Sequence, residues 1–291
     1  MKNLFHFGGG TENTKNGIKV LSYNVRNFDL YNWTHNKNTR NKIFFFLKDE
    51  SADIVCLQEF FQGDSGHYET LDSVIAVTKS VDNHIKYTYS KRKKDHWGIA
   101  TFSKYPIIFK GKVPFKYKSN NICIFSDLKI GNDTVRVYNM HLQSIRFDYA
   151  DYKFIEALKE NNDTLDADDI GIASKNILRR IKRAFIKRTT QAEKILAHIN
   201  SCKYPVIICG DFNDTPFSYT HHLFSEKYQD AFMESGSGIG NTYAGIVPSY
   251  RIDYIFYSSQ FTSSNFEVHS EELSDHYPIS TIISPRPKGS Y

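Results

Sequence analysis

"VIICGDFNDTP" (residues 206–216) runs an apolar stretch straight into Asp211, Asn213 and Asp214 and then breaks at Pro216. Val206–Cys209 has the length and β-branched content of a buried strand. The polar segment after it is open to two readings. A loop tip favours Asp and Asn for their turn chemistry, whereas an active site at a strand's end places carboxylates and amides there to do work. One motif does not decide between them; the other strand ends do.

Around this strand, extended and helical patterns alternate along the chain. "IKVLSYNV" (18–25), "DIVCLQEF" (53–60) and "NICIFSDLKIGNDTVRVYNMHL" (121–142) predict strands, the last a hairpin turning at Gly131-Asn132-Asp133. Further strands are expected near 85–90, 98–103, 106–113, 251–257, 265–269 and 277–283. "TRNKIFFFLKDE" (39–50) predicts an amphipathic helix capped at Asn38 or Thr39, with further helices at 68–77, about 173–200 and 218–226. With no repeat, linker or composition break, the economical reading is an α/β fold in a single domain over residues 18–284. Two packed sheets carry helices on their outer faces, between a flexible lead-in (1–17) and a short tail (285–291).

Composition bounds the function. With 40% apolar and 24% charged residues the chain is globular, and 22 Phe with 19 Tyr suffice for a large core. A net charge of +5 permits an anionic substrate without demanding one. Cys56, Cys123, Cys202 and Cys209 share no CxxC spacing, so buried reduced thiols are expected rather than a zinc site or disulfides. No run of about 18 apolar residues occurs, and no signal-peptide pattern opens the chain. The expected compartment is the cytoplasm, and the expected state a monomer.

Polar residues recur where strands end. Asn24 closes "LSYN", Glu59 follows "CLQ", and Asn139 and His141 share a face of "YNMH". Asp211 and Asn213 follow in "GDFN". Asp253 lies within "RIDYIF", and Asp275 and His276 in "SDHYPI" precede the last strand. Each has an ordinary explanation taken alone: a surface acid, a turn, a satisfied core histidine. Asp253 resists one, because a carboxylate among Ile252, Tyr254 and Ile255 is costly to bury unpaired, and His276 is a natural partner.

Taken in order, N…QE…NxH…GDFN…DYIF…SDH resembles the endonuclease/exonuclease/phosphatase superfamily, the metal-dependent phosphodiesterases related to pancreatic deoxyribonuclease, over about residues 18–284. The resemblance implies a four-layer α/β sandwich of two mostly antiparallel or mixed sheets flanked by helices. It implies Mg²⁺ or Mn²⁺ held by Glu59 with Asn24 and Asp275, Asp211 activating water, and Asn213 donating to phosphoryl oxygens. His276, oriented by Asp253, would act on the transition state, and His141, with Asn139 supporting the same pocket, would hydrogen-bond the scissile phosphate or help protonate the leaving oxygen. Arg26 stands where the abasic-site endonucleases carry an acid, and those enzymes lack the "YNMH" histidine. Both differences point to the histidine-bearing branches, which act on DNA, RNA, sphingomyelin or inositol phosphates.

For the substrate, Arg26 either grips a phosphate or is a plain surface arginine, and Arg251 is expected to point toward phosphate. "KNILRRIKRAFIKR" (175–188), with seven basic residues, is either a solvated helix face or an anion-attracting one. "KRKKDHW" (91–97) is either a hairpin tip or a substrate-side loop offering charge and stacking. The mild charge and the lack of an apolar docking loop favour nucleic acid slightly over a lipid headgroup. A non-catalytic scaffold would have drifted at some of these positions, yet all hold chemically competent residues.

Overall fold

A computed structural model describes residues 17–115, 119–159, 167–245 and 251–287; most of the expected lead-in and part of the tail lie outside them. Among the described residues, twelve strands form two six-stranded mixed sheets. The first contains β1 (Ile18–Asn24), β2 (Ile54–Gly63), β3 (Asp82–Lys91), β4 (Asp95–Ser103), β11 (Phe261–Val268) and β12 (Ile279–Pro285), in the order β11-β12-β1-β2-β4-β3. The second contains β5 (Ile107–Val113), β6 (Ile122–Ile130), β7 (Asp133–His141), β8 (Val206–Asp211), β9 (Gln229–Asp230) and β10 (Asp253–Tyr257), in the order β5-β6-β7-β8-β10-β9. Each sheet has a central parallel pair, β1–β2 and β7–β8, with antiparallel neighbours. This is the expected α/β sandwich.

The layers follow from period-2 alternation. Val20, Ile54 and Cys56 face Val137, Ile207, Cys209 and Ile255 between the sheets. The opposite faces are covered by helices. Leu21, Tyr23, Val55 and Leu57 pack with α1 (Thr39–Glu50) and α2 (Thr70–Thr78) through Ile43, Phe46, Leu47 and Val74. Tyr138, Met140, Ile208 and Phe256 pack with α4 (Ala167–Asn200) and α5 (Tyr219–Ser225) through Ala192, Ile195, Ile199 and Phe224.

Along their inward faces, the central strands change character in step. β1 runs Val20, Ser22, Asn24; β2 runs Ile54, Cys56, Gln58; β7 runs Val137, Asn139, His141; and β8 runs Ile207, Cys209, Asp211. The layer between the sheets is therefore apolar at one end and polar at the other, and the carboxylates of "GDFND" continue the core rather than decorate a loop. Asn139 belongs to the transition. Its Oδ1 accepts from Gln58 Nε2 at 2.7 Å and its Nδ2 donates to the Ala100 carbonyl at 2.8 Å, bolting the sheets together.

Some expectations shift. The last long strand pair begins earlier than expected, at Phe261, and α4 at Ala167. The short α6 (Ala231–Ser235), capped by Asp230 accepting from Phe232 N at 3.0 Å, was not foreseen because five residues are too few to show a helical period. Between β7 and α4 lies α3 (Tyr149–Lys159). All four cysteines are free; Cys56, Cys123 and Cys209 are buried, while Cys202 is only partly so. Among the described residues no helix is long and apolar enough to cross a membrane.

Gly210 holds β8 against β7. Its φ is +144°, and a Cβ there would lie 2.0 Å from the Met140 carbonyl oxygen. Gly210→Ala is expected to lower unfolding stability by about 2 kcal/mol or more, through backbone strain and the forced separation of the two strands. Urea denaturation checks it.

Candidate active site

Strand register brings the polar ends together. His141 is opposite Asp211 in the β7–β8 pair, and Asp211 is opposite Asp253 in the β10–β8 pair, so three neighbouring strands carry one row of functional groups. From the other sheet, Asn24 donates through Nδ2 to Asp211 Oδ2 at 3.0 Å. The two sheets thus meet at one rim.

Glu59 reaches that rim through a β-bulge. Between the pairs Leu57–Ala100 and Phe60–Gly98, β2 has two residues, Gln58 and Glu59, against the single Ile99 of β4. Glu59 itself has φ +48°. The slip lets Leu57 and Phe60, an odd number of residues apart, both face the outer helices, while Glu59 is re-aimed to the strand's end. Its Oε1 lies 3.9 Å from His141 Nε2, and its side chain retains 34% exposure. His141 Nε2 also lies 3.5 Å from Asp211 Oδ2.

His276 and Asp253 form a buried pair, with Nδ1 and Oδ2 2.9 Å apart. The other ring nitrogen, Nε2, lies 3.7 Å from Asp211 Oδ2. Burial works against the imidazolium, but the carboxylates of Asp253 and Asp211 outweigh it and hold His276 well above the usual histidine range. Asp253 Oδ1 is buried without a partner, and the Asp253 amide donates to Thr242 Oγ1 at 3.1 Å. Burial pushes the Glu59 carboxyl up; His141 and His276 oppose this, while the Asp275 and Asp211 carboxylates add to it.

The segment after Asn24 is strained. Arg26, Asn27, Phe28 and Asp29 all have φ between 41° and 57°, a left-handed turn without glycine, at about 1–2 kcal/mol per residue. Buried Phe28 anchors it against Phe44 and Phe60, and Asp29 ties it to Thr34. The turn delivers Arg26 to Asp275, Nε to Oδ2 at 3.4 Å, with the guanidinium 4.4 Å above the Trp33 ring.

Several expected residues are placed otherwise. Arg251 does not face the site. Its Nη1 pairs with both Asp230 oxygens at 2.9 and 2.7 Å, and its guanidinium lies over Phe232 and Tyr254. Its neighbour Asp253 points to the rim, while Arg251 enters this separate buried pair together with His221. Asn139 lies beneath the site, out of reach of a ligand at the rim. Asn213 is at the rim, with φ +53°, but its Nδ2 donates to the Leu142 carbonyl at 3.1 Å; an amide nitrogen has a second hydrogen to offer.

Two residues, Ser274 and Tyr243, had gone unremarked. Ser274 Oγ donates to the Asn24 carbonyl at 2.8 Å, joining the His276 loop to β1. Tyr243 packs edge-on to His276 at 5.3 Å. Arg188, on the basic helix α4, is buried: its Nη1 donates to the Gln143 carbonyl at 2.8 Å and its Nε lies 3.1 Å from Asp214 Oδ2. It clamps the loops after His141 and Asp211 together. Its helical spacing from Ile177, Ile181 and Ala184 already marked it for the packing face.

Asp211, Asp253 and His276 present ligand atoms all within 4.8 Å of one another. With both ring nitrogens of His276 facing carboxylates, this trio reads as a charge-paired dyad beside an acid. Oxygen donors of the kind a hard cation takes are also present in Glu59, Asn24 and Asp275.

The sequence model of the Endonuclease/Exonuclease/phosphatase family matches residues 21–276. The chain belongs to that family. No curated protein sequence matches it. Among solved structures it is similar to the human Nocturnin catalytic domain with bound sulfate anion (15% identity, 93% of this chain and 95% of that one, TM-score 0.62). It is also similar to the endonuclease/exonuclease/phosphatase from Bacteroides vulgatus (17% identity, 94% and 100%, TM-score 0.62). A third is ANGEL2, a 2′,3′-cyclic phosphatase, in complex with adenosine-2′,3′-vanadate (18% identity, 92% and 95%, TM-score 0.59). Likeness at these identities speaks to the fold alone.

His276→Gln is expected to cost about 3–5 kcal/mol near neutral pH, since it leaves two buried carboxylates without their counter-charge. The folded-state pKa of His276 is raised above the unfolded one, which sets the sign with pH. The histidine's contribution is complete below about pH 6.5 and fades as pH rises through the elevated folded value. Urea denaturation of both proteins in EDTA should show the gap narrowing in alkali.

Proposed function

We propose that the chain is a divalent-metal-dependent phosphodiester hydrolase of nuclease type. The observation that carries this reading is the convergence of Glu59, Asp211, His141 and His276 at one rim, within 3.9 Å links, from both sheets. Family members are hydrolases of phosphoester bonds, and the similar ANGEL2 structure holds a nucleoside vanadate, which supports nucleotide chemistry on this fold.

The residues fit a hard cation. Burial pushes the Glu59 carboxyl up and the Asp275 and Asp211 carboxylates add to it, a balance that a bound cation would offset, and the donors are oxygens. Glu59, Asn24 and Asp275 would hold Mg²⁺ or Mn²⁺, which when bound shields the phosphate's charge. Asp211, fixed through Oδ2 by Asn24 and through Oδ1 by the Asn213 amide at 2.8 Å, is oriented to take a proton from an attacking water. Asp253 holds Nδ1 of His276 and favours the imidazolium, whose Nε2 would carry its proton toward the phosphoryl oxygens. His141 stands on the other side of Asp211, ready to protonate the leaving oxygen.

Asp211→Asn and His276→Ala are each expected to cut turnover of bis-p-nitrophenyl phosphate by about 100-fold or more; undiminished turnover in either removes its assignment. EDTA should abolish activity and Mg²⁺ or Mn²⁺ restore it. Since a protonated Glu59 cannot ligate, cation affinity measured by calorimetry should fall as pH drops through that residue's raised pKa.

A further inference from the structure

Beside Glu59 and His141 opens a groove of about 470 Å³, within the range of small-ligand sites. Tyr31, Tyr89 and Trp97 line it, together with Lys91 and Arg146, and among the described residues Glu59 is its one acid. Tyr31 and Tyr89 are 58% and 51% exposed. The groove thus combines exposed aromatic rings with two cationic side chains.

The groove is built by the same strand that receives Glu59. On one side of β4 lies the β2 bulge. On the other, β3 has its own: Tyr87 pairs with Gly98 and Tyr89 with Trp97, leaving Thr88 as an extra residue. Both irregularities meet at Gly98, where a Cβ would lie 2.1 Å from the Lys86 carbonyl oxygen, so only glycine allows the strands this close. The second bulge brings Tyr89 across Trp97, ring centroids 5.3 Å apart, and Trp97 is backed by Phe61 at 4.9 Å. The aromatic wall is therefore set by the fold that aims the candidate metal ligand.

We propose that this groove is a nucleobase subsite for single-stranded nucleic acid, the base stacking on Tyr89 and Trp97 while Lys91 and Arg146 hold a neighbouring phosphate. The proposal rests on the phosphodiesterase reading of the same rim and adds its substrate class. Stacking needs an open base face, which a duplex hides between neighbouring pairs. Two cations beyond the reacting position call for a further anion along the chain, as a polynucleotide supplies. An inositol phosphate has anions but no aromatic face for the wall. On the other side of the rim a second groove contains Trp33, Tyr152 and Tyr243, but there Glu156 and Glu272 offset Arg26 and Lys153, even with Asp275 set aside as a candidate metal ligand, which makes it the poorer path for a phosphate backbone.

The test is fluorescence anisotropy in EDTA, so that nothing is cut, with a labelled thymidylate dodecamer and an abasic strand of equal length. The full chain should bind thymidylate more tightly than the abasic strand. Tyr89→Ala should weaken thymidylate binding about 5- to 100-fold, toward the abasic level, and Tyr89→Phe should restore it. Arg146→Ala should weaken both strands and flatten the salt dependence. Equal binding of the two strands, or a base preference that survives Tyr89→Ala, overturns the subsite. So does displacement of the thymidylate by an inositol phosphate or sphingomyelin vesicles through the same Tyr89 dependence. Turnover of methyl p-nitrophenyl phosphate by the unaltered chain with Mg²⁺ separates the two readings. Cleavage without base preference retains the hydrolase and removes the subsite; base-dependent binding without cleavage of any diester does the reverse.

Discussion

Asn24 and Asp211, 187 residues apart, meet through one hydrogen bond between the ends of strands in different sheets. The arrangement of the rim depends on that contact. It aligns β1 with β8, and strand register then carries the alignment outward to His141 on one side and Asp253 on the other. Ser274, bonded to the Asn24 carbonyl, brings the His276 loop to the same place. Buried polar groups tolerate few geometries, because each unmet donor or acceptor costs about 1–3 kcal/mol.

That core prepares the site by degrees. Between the sheets, side chains pass from isoleucine and valine through cysteine and serine to Gln58 and Asn139, and then to the acids and imidazoles. The amide layer seals the apolar interior from the charged rim and holds both sheets at a fixed separation. Strain is concentrated outside it, in the left-handed turn at Arg26–Asp29 and the bulge at Glu59. Both sit where the chain must present a side chain that regular structure would send elsewhere. Arg188, sunk beneath the loops after His141 and Asp211, gives the rim a second support from the helical layer.

Much of this was legible along the chain, and the reason differs from place to place. Asp253 stood out because a carboxylate between isoleucine and tyrosine must find a partner, and His276 is that partner. Asn139 and His141 were rightly placed on one face, but alternation cannot tell which is deep and which is at the mouth; the rise of a strand, two residues further, separates a sheet-to-sheet bolt from a rim imidazole. Arg251 misled because a basic residue beside a functional strand looks the same whether it faces phosphate or Asp230, which lies 21 residues earlier in the sequence.

The amino-acid sequence by itself determined the strands and helices, the two-sheet sandwich and the residue types of the rim. These rest on local periodicity and on the cost of burying polar groups, both of which are written in neighbouring residues. Tertiary structure alone decided which polar residues share the rim, the phase slip that turns Glu59 outward, the burial of Arg188, and the gathering of Tyr31, Tyr89 and Trp97 beside it. Those outcomes depend on register between strands far apart in the chain, and no single stretch of sequence contains the partner against which that register is set.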